Sequence, residues 1–403
     1  MTIHLNIAND SGNGYMKEEF NNYRFKQPSV IAEVRKGKEP TPINDVENPG
    51  SVAATVEDIL NNQYVTIDSP GVNANGKYFV STRAQNSTMT QVGYNIMSEQ
   101  PKSDSDVGII CLLSEIAGYS LKQLYKETNE LPETIKVVVD NMTTALPISD
   151  FKVKANQEKL VNRFTTGSHV VMINNFETPI PVNITFKNVL VNPEGAIGQY
   201  ALIGDPHEKG TIRQDGIFDD FVKENKLEEP IDGEYVQKVG KVISIDIGDY
   251  TTDISVMDGF TPYEDANQSL KMGIGSITNY AIDDLKAKYP SVPMPKRQDF
   301  SEEVMNGKTK RADLFREELE DQMPQLVNSI IDRLRETFTA LRGDAGLIVV
   351  HGGGAIPTRS VMEPALKELI EEVTIFKIPI MYIPEEYSQW LNLDGLSMRI
   401  NSL

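Results

Sequence analysis

The 403-residue chain has one cysteine, one tryptophan, four histidines and no surplus of basic residues. A lone cysteine closes no intramolecular disulfide; Cys111, in the apolar run Gly108–Leu113, reads as a reduced, buried side chain of a cytoplasmic protein. His4, His169, His207 and His351 are scattered and lack neighbouring cysteines, so zinc-ligand spacing is absent. Lysine and arginine total 39 against 58 acidic residues, and the resulting −19 charge opposes direct contact with a nucleic-acid backbone. That charge suits solubility, or attraction to a basic partner. The opening Met1-Thr-Ile-His-Leu-Asn-Ile7 lacks a basic segment followed by an apolar stretch, which argues against a secretion signal. The apolar segments at Val137–Val139 and Leu347–Val350 are strand-sized, far short of the roughly 20 residues a bilayer requires, so no membrane span is expected. No fixed-period repeat or low-complexity tract appears. What remains, 39% hydrophobic and 24% charged residues, is the composition of a globular protein long enough for two lobes.

Ile3–Ala8 alternates as a strand, runs into the turn-rich segment Asn9–Gly14, and is followed by a second strand from Tyr15: a hairpin with an acidic, glycine-rich tip. Residues 36–76 read as an irregular small subdomain, Val107–Lys126 as a buried helix and Ile135–Val139 as a strand. After the strand Ile180–Leu190, small residues from Pro193 to Ala201 suit a closely packed helix crossing between lobes. Residues 205–238 read as an acidic insertion at the surface. Lys241–Ile247 and Ile254–Met257 flank a second acidic tip. Helical faces follow over Gly273–Lys286 and Asp313–Leu341, the latter expected to be divided by Pro324. Gly346–Ala355 runs a buried strand into three glycines, with a helix expected from Ser360 to Glu371. Tyr387 and the single Trp390 read as core of a C-terminal helix.

Three features carry chemistry: Asp10–Lys17, Asp246–Asp253 and Gly352–Gly354. Glycines in a hairpin tip let successive backbone N–H groups converge on phosphate oxygens. An adjoining aspartate would repel phosphate directly but can hold a hydrated Mg²⁺ that bridges the phosphates. Two acidic hairpins together could clamp one Mg-nucleotide. Asp253 reads as a strand-end residue capping local amides rather than a catalytic one.

On these residues the sequence resembles the actin superfamily of ATPases, which includes actin, MreB, heat-shock chaperone ATPase domains and sugar kinases. Asp10–Lys17 is similar to its first phosphate motif, Asp246–Asp253 to its second and Leu347–Ala355 to its adenosine motif. Phe25–Ile31 and Thr143–Phe151 resemble segments of the ParM-like and Alp-type bacterial actins. The resemblance implies an α/β, actin/ribonuclease H-like two-lobed fold with nucleotide in the interlobe cleft. It implies a domain I over 1–192, rejoined by 385–403, and a domain II over 193–384. It further implies ATP, or GTP, with Mg²⁺ held through water by Asp10 and Asp246. Gly12, Asn13, Gly14, Lys17, Gly248, Asp249, Tyr250 and Thr251 would then face the phosphates. Gly352, Gly353 and Gly354 would admit the ribose and α-phosphate, with Gly273 and Gly275 opening a helix toward the nucleotide. Glu194 matches the position that orients attacking water. The implied function is a cytoplasmic ATPase that polymerises with ATP and segregates plasmid DNA through a DNA-binding adaptor of ParR type, without direct nucleic-acid or membrane contact. A small-molecule kinase of the same superfold, or a nucleotide-binding scaffold without hydrolysis, are the competing readings.

Overall fold

The structure is a computed structural model and describes residues 2–44, 49–94 and 100–400. The chain divides into two compact units: one holds the described residues up to Leu146 together with Asp150–Asn192 and, at the end, Arg399 and Ile400, the other Pro147–Ser149 and Pro193–Met398. Residues 385–398 thus group with the second unit. Leu391 is buried there with Ala201 and Leu202, and a side chain at Gly395 would meet the Ile197 carbonyl.

The first unit is built on a ten-stranded sheet. Its strands are β1 (Thr2–Ser11), β2 (Tyr15–Phe20), β3 (Tyr23–Pro28), β4 (Val30–Glu33), β5 (Tyr64–Asp68), β6 (Gly76–Val80), β7 (Gln91–Gly93), β8 (Ile135–Leu146), β9 (His169–Ile173) and β10 (Ile180–Pro193), in the order β3-β2-β1-β8-β10-β9-β5-β6-β4-β7. The region expected to be an irregular subdomain therefore contributes β5 to this sheet, after helix α1 (Pro49–Glu57). Alternation in β9 and β10 sends Val171, Ile173, Val182 and Ile184 inward. Helices α2 (Ser81–Gln85) and α3 (Val107–Thr128) follow, α3 ending on Asn129 in the left-handed conformation. α3, not either short strand, is the longest apolar stretch; among the described residues it alone is long and apolar enough for a membrane span, and 78% of that stretch is buried inside the protein. Cys111 lies within it, fully buried. The short α4 (Ile148–Phe151) stands at the division between units, and α5 (Lys154–Thr165) completes the first.

The second unit carries a six-stranded sheet of β11 (Lys241–Ile247), β12 (Thr252–Asp258), β13 (Thr261–Pro262), β14 (Gln268–Leu270), β15 (Leu347–His351) and β16 (Ile380–Tyr382). β11 and β12 are antiparallel, whereas β15 lies parallel to β11 and to β16. Both parallel neighbours of β11 and β16 require long crossovers, supplied by α9 (Ile274–Lys288), α10 (Arg297–Asn306), α11 (Lys310–Leu341) and α12 (Ala355–Val373), which come after α6 (Ala196–Ile203), α7 (Asp219–Glu224) and α8 (Gly233–Lys238). α13 (Glu385–Ser388) and α14 (Leu391–Ile400) end the chain's described part.

Pro324 does not divide the long helix: α11 is continuous over 32 residues. The proline removes one helix N–H, but Leu319, Met323, Leu326, Val327 and Ile330 around it stay buried, and this packing holds the helix through the defect. α12 begins at Ala355, earlier than expected, because Pro357 falls in its first turn, where a missing N–H costs nothing. Segment 205–238 is not merely a surface insertion. Ile217, Phe218, Phe221 and Val236 join the core with Val242, Leu347 and Val349, and Arg213, 2% exposed, bonds Asp215, the Ala201 carbonyl and Asp394. Its acids stay outside while its apolar positions, spaced as short helices α7 and α8, go in.

Candidate functional site

In the first unit, β1 and β2 pair with Asp10 opposite Lys17, and the Lys17 ammonium donates to Asp10 Oδ2 at 2.7 Å. Asp10 is 3% exposed, so its charge is neutralised inside the hairpin. Gly12 closes the turn: its N–H donates to the Asp10 carbonyl, and a β-carbon there would sit 2.6 Å from the Tyr15 carbonyl oxygen. Ser29 fixes the tip from β3–β4, its hydroxyl donating to the Gly12 carbonyl and its N–H to that of Gly14. Asn13 and Gly14 form the bend.

The second unit's hairpin is secured from outside itself. Gly248 N–H closes onto the Thr251 carbonyl, and the tip carbonyls of Gly248 and Asp249 accept from Ile274 and Gly275 at the start of α9. This approach is close enough to forbid side chains: a β-carbon on Gly273 would lie 2.4 Å from the Gly248 oxygen, and one on Gly275 2.1 Å from Asp249 Oδ1. The Asp249 carboxylate is paired with Arg297, whose guanidinium lies 4.8 Å from the centre of the Tyr250 ring. Asp249 and Tyr250 side chains thus brace the loop through a residue the sequence did not single out. The Gly12 and Gly248 amides, expected to project toward phosphate, instead close their own turns.

Asp246, at the end of β11, stands opposite Asp253 on β12 and His351 on β15. Its Oδ2 accepts from the Asn392 amide of α14 at 2.7 Å, and His351 Nδ1 lies 3.8 Å from its Oδ1. The opposite imidazole nitrogen meets the Ser244 hydroxyl at 2.9 Å. Gly352, with φ of +90°, carries the chain past this carboxylate: a β-carbon there would be 2.4 Å from Asp246 Oδ1 and 2.6 Å from the Ile247 oxygen. Gly354 abuts the Ile247 side chain, whereas Gly353 faces open space. Glu194 precedes Gly195, which also takes positive φ and packs between Asp253 and Asp246. Three carboxylates therefore share one end of this sheet. Burial, then the negative charge of Glu194, holds the Asp253 carboxyl well above the ordinary carboxylate range, which favours its protonated form. The sequence assigned it only to amide capping. It does accept from Ile148 N–H, at 3.4 Å, but it is also part of the acidic cluster.

Beside the glycine turn lies a cavity of about 310 Å³, lined by Gly352, Gly353, Ile356, Arg316, Glu320 and Gln389 among others. Its far wall comes from α10 and α11, whose sequences show only amphipathic spacing and give no sign of a site. Ser388 ties α13 to the turn by donating to the Gly352 carbonyl. Tyr387 packs near Arg213, 5.5 Å from ring centre to guanidinium.

Residues 8–196 match the family model for the N-terminal domain of actin like proteins, and residues 244–368 match that of the archaeal actin homologue MreB-like C-terminal domain. No curated protein matches by sequence comparison. Among solved structures the chain is similar to the actin-like protein Alp7A, at 16% identity and a TM-score of 0.67, covering 100% of this chain and 97% of that one. It is also similar to Bacillus thuringiensis ParM with ATP, at 14% identity and a TM-score of 0.59, covering 99% and 98%. Ta0583, an archaeal actin homologue, matches at 14% identity and a TM-score of 0.59, covering 99% and 100%. The class these findings define is the actin-like fold. Within it, residues 8–196 and 244–368 are similar in sequence to actin-like domains.

Proposed function

We propose that this chain is a Mg²⁺-dependent ATPase that assembles into dynamic filaments. The observation that carries the reading is that, within the second unit, the start of α9 packs on the Gly248–Asp249 tip with no room for side chains at Gly273 and Gly275, and Gly352 packs against Asp246 with a cavity alongside. Backbone packed this tightly around one carboxylate suits a nucleotide whose phosphates need amide donors and whose base needs a pocket. Amides of Asp249, Tyr250 and Thr251 would serve the phosphates.

The residues also fit a hydrated magnesium ion. Asp246 offers hard oxygen, oriented by Asn392, as suits an ion that takes few protein ligands, keeps its waters and borrows phosphate oxygens. Asp246 would hold it through water, where it would neutralise charge developing on the phosphates. Glu194 would orient the attacking water and accept its proton. Burial and the neighbouring Glu194 raise the Asp253 carboxyl, so Asp253 is the less suited of the two to accept that proton.

Filament growth with ATP and loss of stability after hydrolysis follow if nucleotide favours one conformation that subunit contacts also favour. The similarity to ParM and Alp7A supports self-assembly and a cytoplasmic role in plasmid segregation. The −19 charge suits a basic, DNA-bound adaptor of ParR type. Sedimentation with ATP, ADP or no nucleotide, coupled to phosphate release, tests the reading. Pelleting with ATP and phosphate release lost in Glu194→Ala are expected; absence of both nucleotide binding and pelleting across salt and Mg²⁺ conditions would overturn it.

A further inference from the structure

Beneath the first hairpin lies a second acidic group that the proposed chemistry does not use. Glu18 on β2 and Glu115 on α3 are both fully buried. Glu18 pairs in register with Asn9, whose amide donates to Glu18 Oε1 at 3.3 Å. Glu115 Oε1 accepts from the Ser81 hydroxyl at 2.9 Å. One oxygen of each carboxyl, Glu18 Oε2 and Glu115 Oε2, is buried without any donor, and the two carboxyls are close enough for each to raise the cost of charging the other. Two carboxylate charges cannot persist together in this apolar core, so the contact requires a proton between them. Ser81 adds a second sign of purpose. It is a buried, non-glycine residue held at φ of +51°, a conformation tolerated where surrounding contacts fix it, and its hydroxyl is spent on Glu115.

We propose that Glu18 and Glu115 form a proton-sharing carboxyl pair that fastens the first hairpin to α3 and, through Ser81, to α2, and that losing the proton releases the fastening. Asn9 precedes Asp10, so the pair reaches the hairpin's acid through one peptide unit. The remaining ionisable group acting with the pair is Cys111 on α3, whose thiol burial and Glu115 push up, leaving it neutral. From the other elements, β1 offers the Asn9 amide and α2 the Ser81 hydroxyl, while Lys17, beside Glu18 on β2, is engaged by Asp10.

The sign is set by where the protons are held. Burial raises Glu115 to about 7 and Glu18 well above the ordinary range, whereas both are ordinary acids in the unfolded chain. The folded state therefore holds extra protons from the ordinary carboxyl range upward. The pair's contribution is complete at acid pH and is lost as pH rises through about 7.

The test is urea unfolding of the full-length protein between about pH 5.5 and about pH 8.5, a range that brackets the titration. Glu115→Gln keeps a hydrogen-bond donor but cannot ionise. Relative to Glu115→Gln, the wild-type midpoint is expected to fall with rising pH, so that a deficit of the variant at acid pH closes or reverses at alkaline pH. A difference between the two that is constant with pH would overturn the proposal. Infrared spectroscopy adds a second readout: a protonated carboxyl band present in the wild type at neutral pH, fading on alkalinisation and lost in Glu115→Gln, is expected, and a band that Glu115→Gln leaves unchanged would equally overturn it, since the buried Asp253 carboxyl gives a band of its own. A dependence of ATP affinity on the same titration is expected under the nucleotide reading above. If ATP fails to bind at any pH, that reading fails, while the unfolding and infrared results still decide the pair.

Discussion

The two hairpins share an Asp-x-Gly tip but are supported in different ways. In the first unit the acid is neutralised from within, Lys17 answering Asp10 across the same two strands. In the second, Asp246 is held by residues far away in sequence, Asn392 and His351, and the tip is tied to α9 and crowded by Gly352. A motif whose support is local can be recognised in sequence as one block. A motif whose support is assembled from distant segments reveals its tip and conceals what holds it.

Adjacent glycines give the largest test of that crowding. Gly352→Val places a β-branched side chain at positive φ into both the Asp246 carboxylate and the Ile247 carbonyl, and should cost about 4 kcal/mol or abolish folding. Gly353→Ala meets nothing within 4 Å and should change stability by less than about 0.5 kcal/mol while weakening ATP binding, if nucleotide lies against the open side of the turn. Denaturant unfolding and nucleotide titration separate the two effects. Equal stability losses would remove the distinction between a crowded and an open glycine.

Lys17→Met tests the local arrangement. It leaves Asp10 buried without its cation and is expected to destabilise the protein by about 3 kcal/mol at neutral pH, with part of the loss recovered in Lys17→Met/Asp10→Asn. No recovery in the double variant would mean that the pair is not what ties β1 to β2. Asn392→Ala tests the distant arrangement by removing one hydrogen bond to a charged group. About 1.5 kcal/mol is at stake, equivalent to roughly tenfold slower phosphate release if Asp246 loses its orientation in the reacting complex. A normal release rate with normal stability would show that Asp246 is oriented without α14.

Much of the fold was legible because its signals are local. Alternation marked β1, β10 and β12; apolar spacing marked α3, α9 and α11; the glycine triplet marked the end of β15. The misreadings came where tertiary packing overrides local preference. Pro324 is carried inside α11 by the buried faces on either side, and segment 205–238 reads as surface from its charge although Phe218 and Phe221 lie in the core. At the site, the tips were legible and their clamps were not. Arg297, Arg316 and Glu320 lie on helices whose sequences show only amphipathic spacing, and no local pattern says that these side chains meet Asp249 or the cavity.

Asp253 offers the smallest effect and the finest comparison, since the first hairpin has lysine where the second unit gathers acids. Its raised carboxyl means that the folded state retains a proton the unfolded chain has released above the ordinary range near 4. Its contribution to stability is therefore complete at acid pH and declines as pH rises through its folded value. Asp253→Asn, which cannot ionise, should flatten that decline while leaving acid-pH stability within about 1 kcal/mol of wild type, because the amide still fills the site and can accept from the Ile148 N–H. The same substitution leaves Glu194 beside a neutral neighbour, as before, so phosphate release near neutral pH should change little. A large loss of release without a loss of stability would instead make Asp253 the proton acceptor, and Glu194 its support.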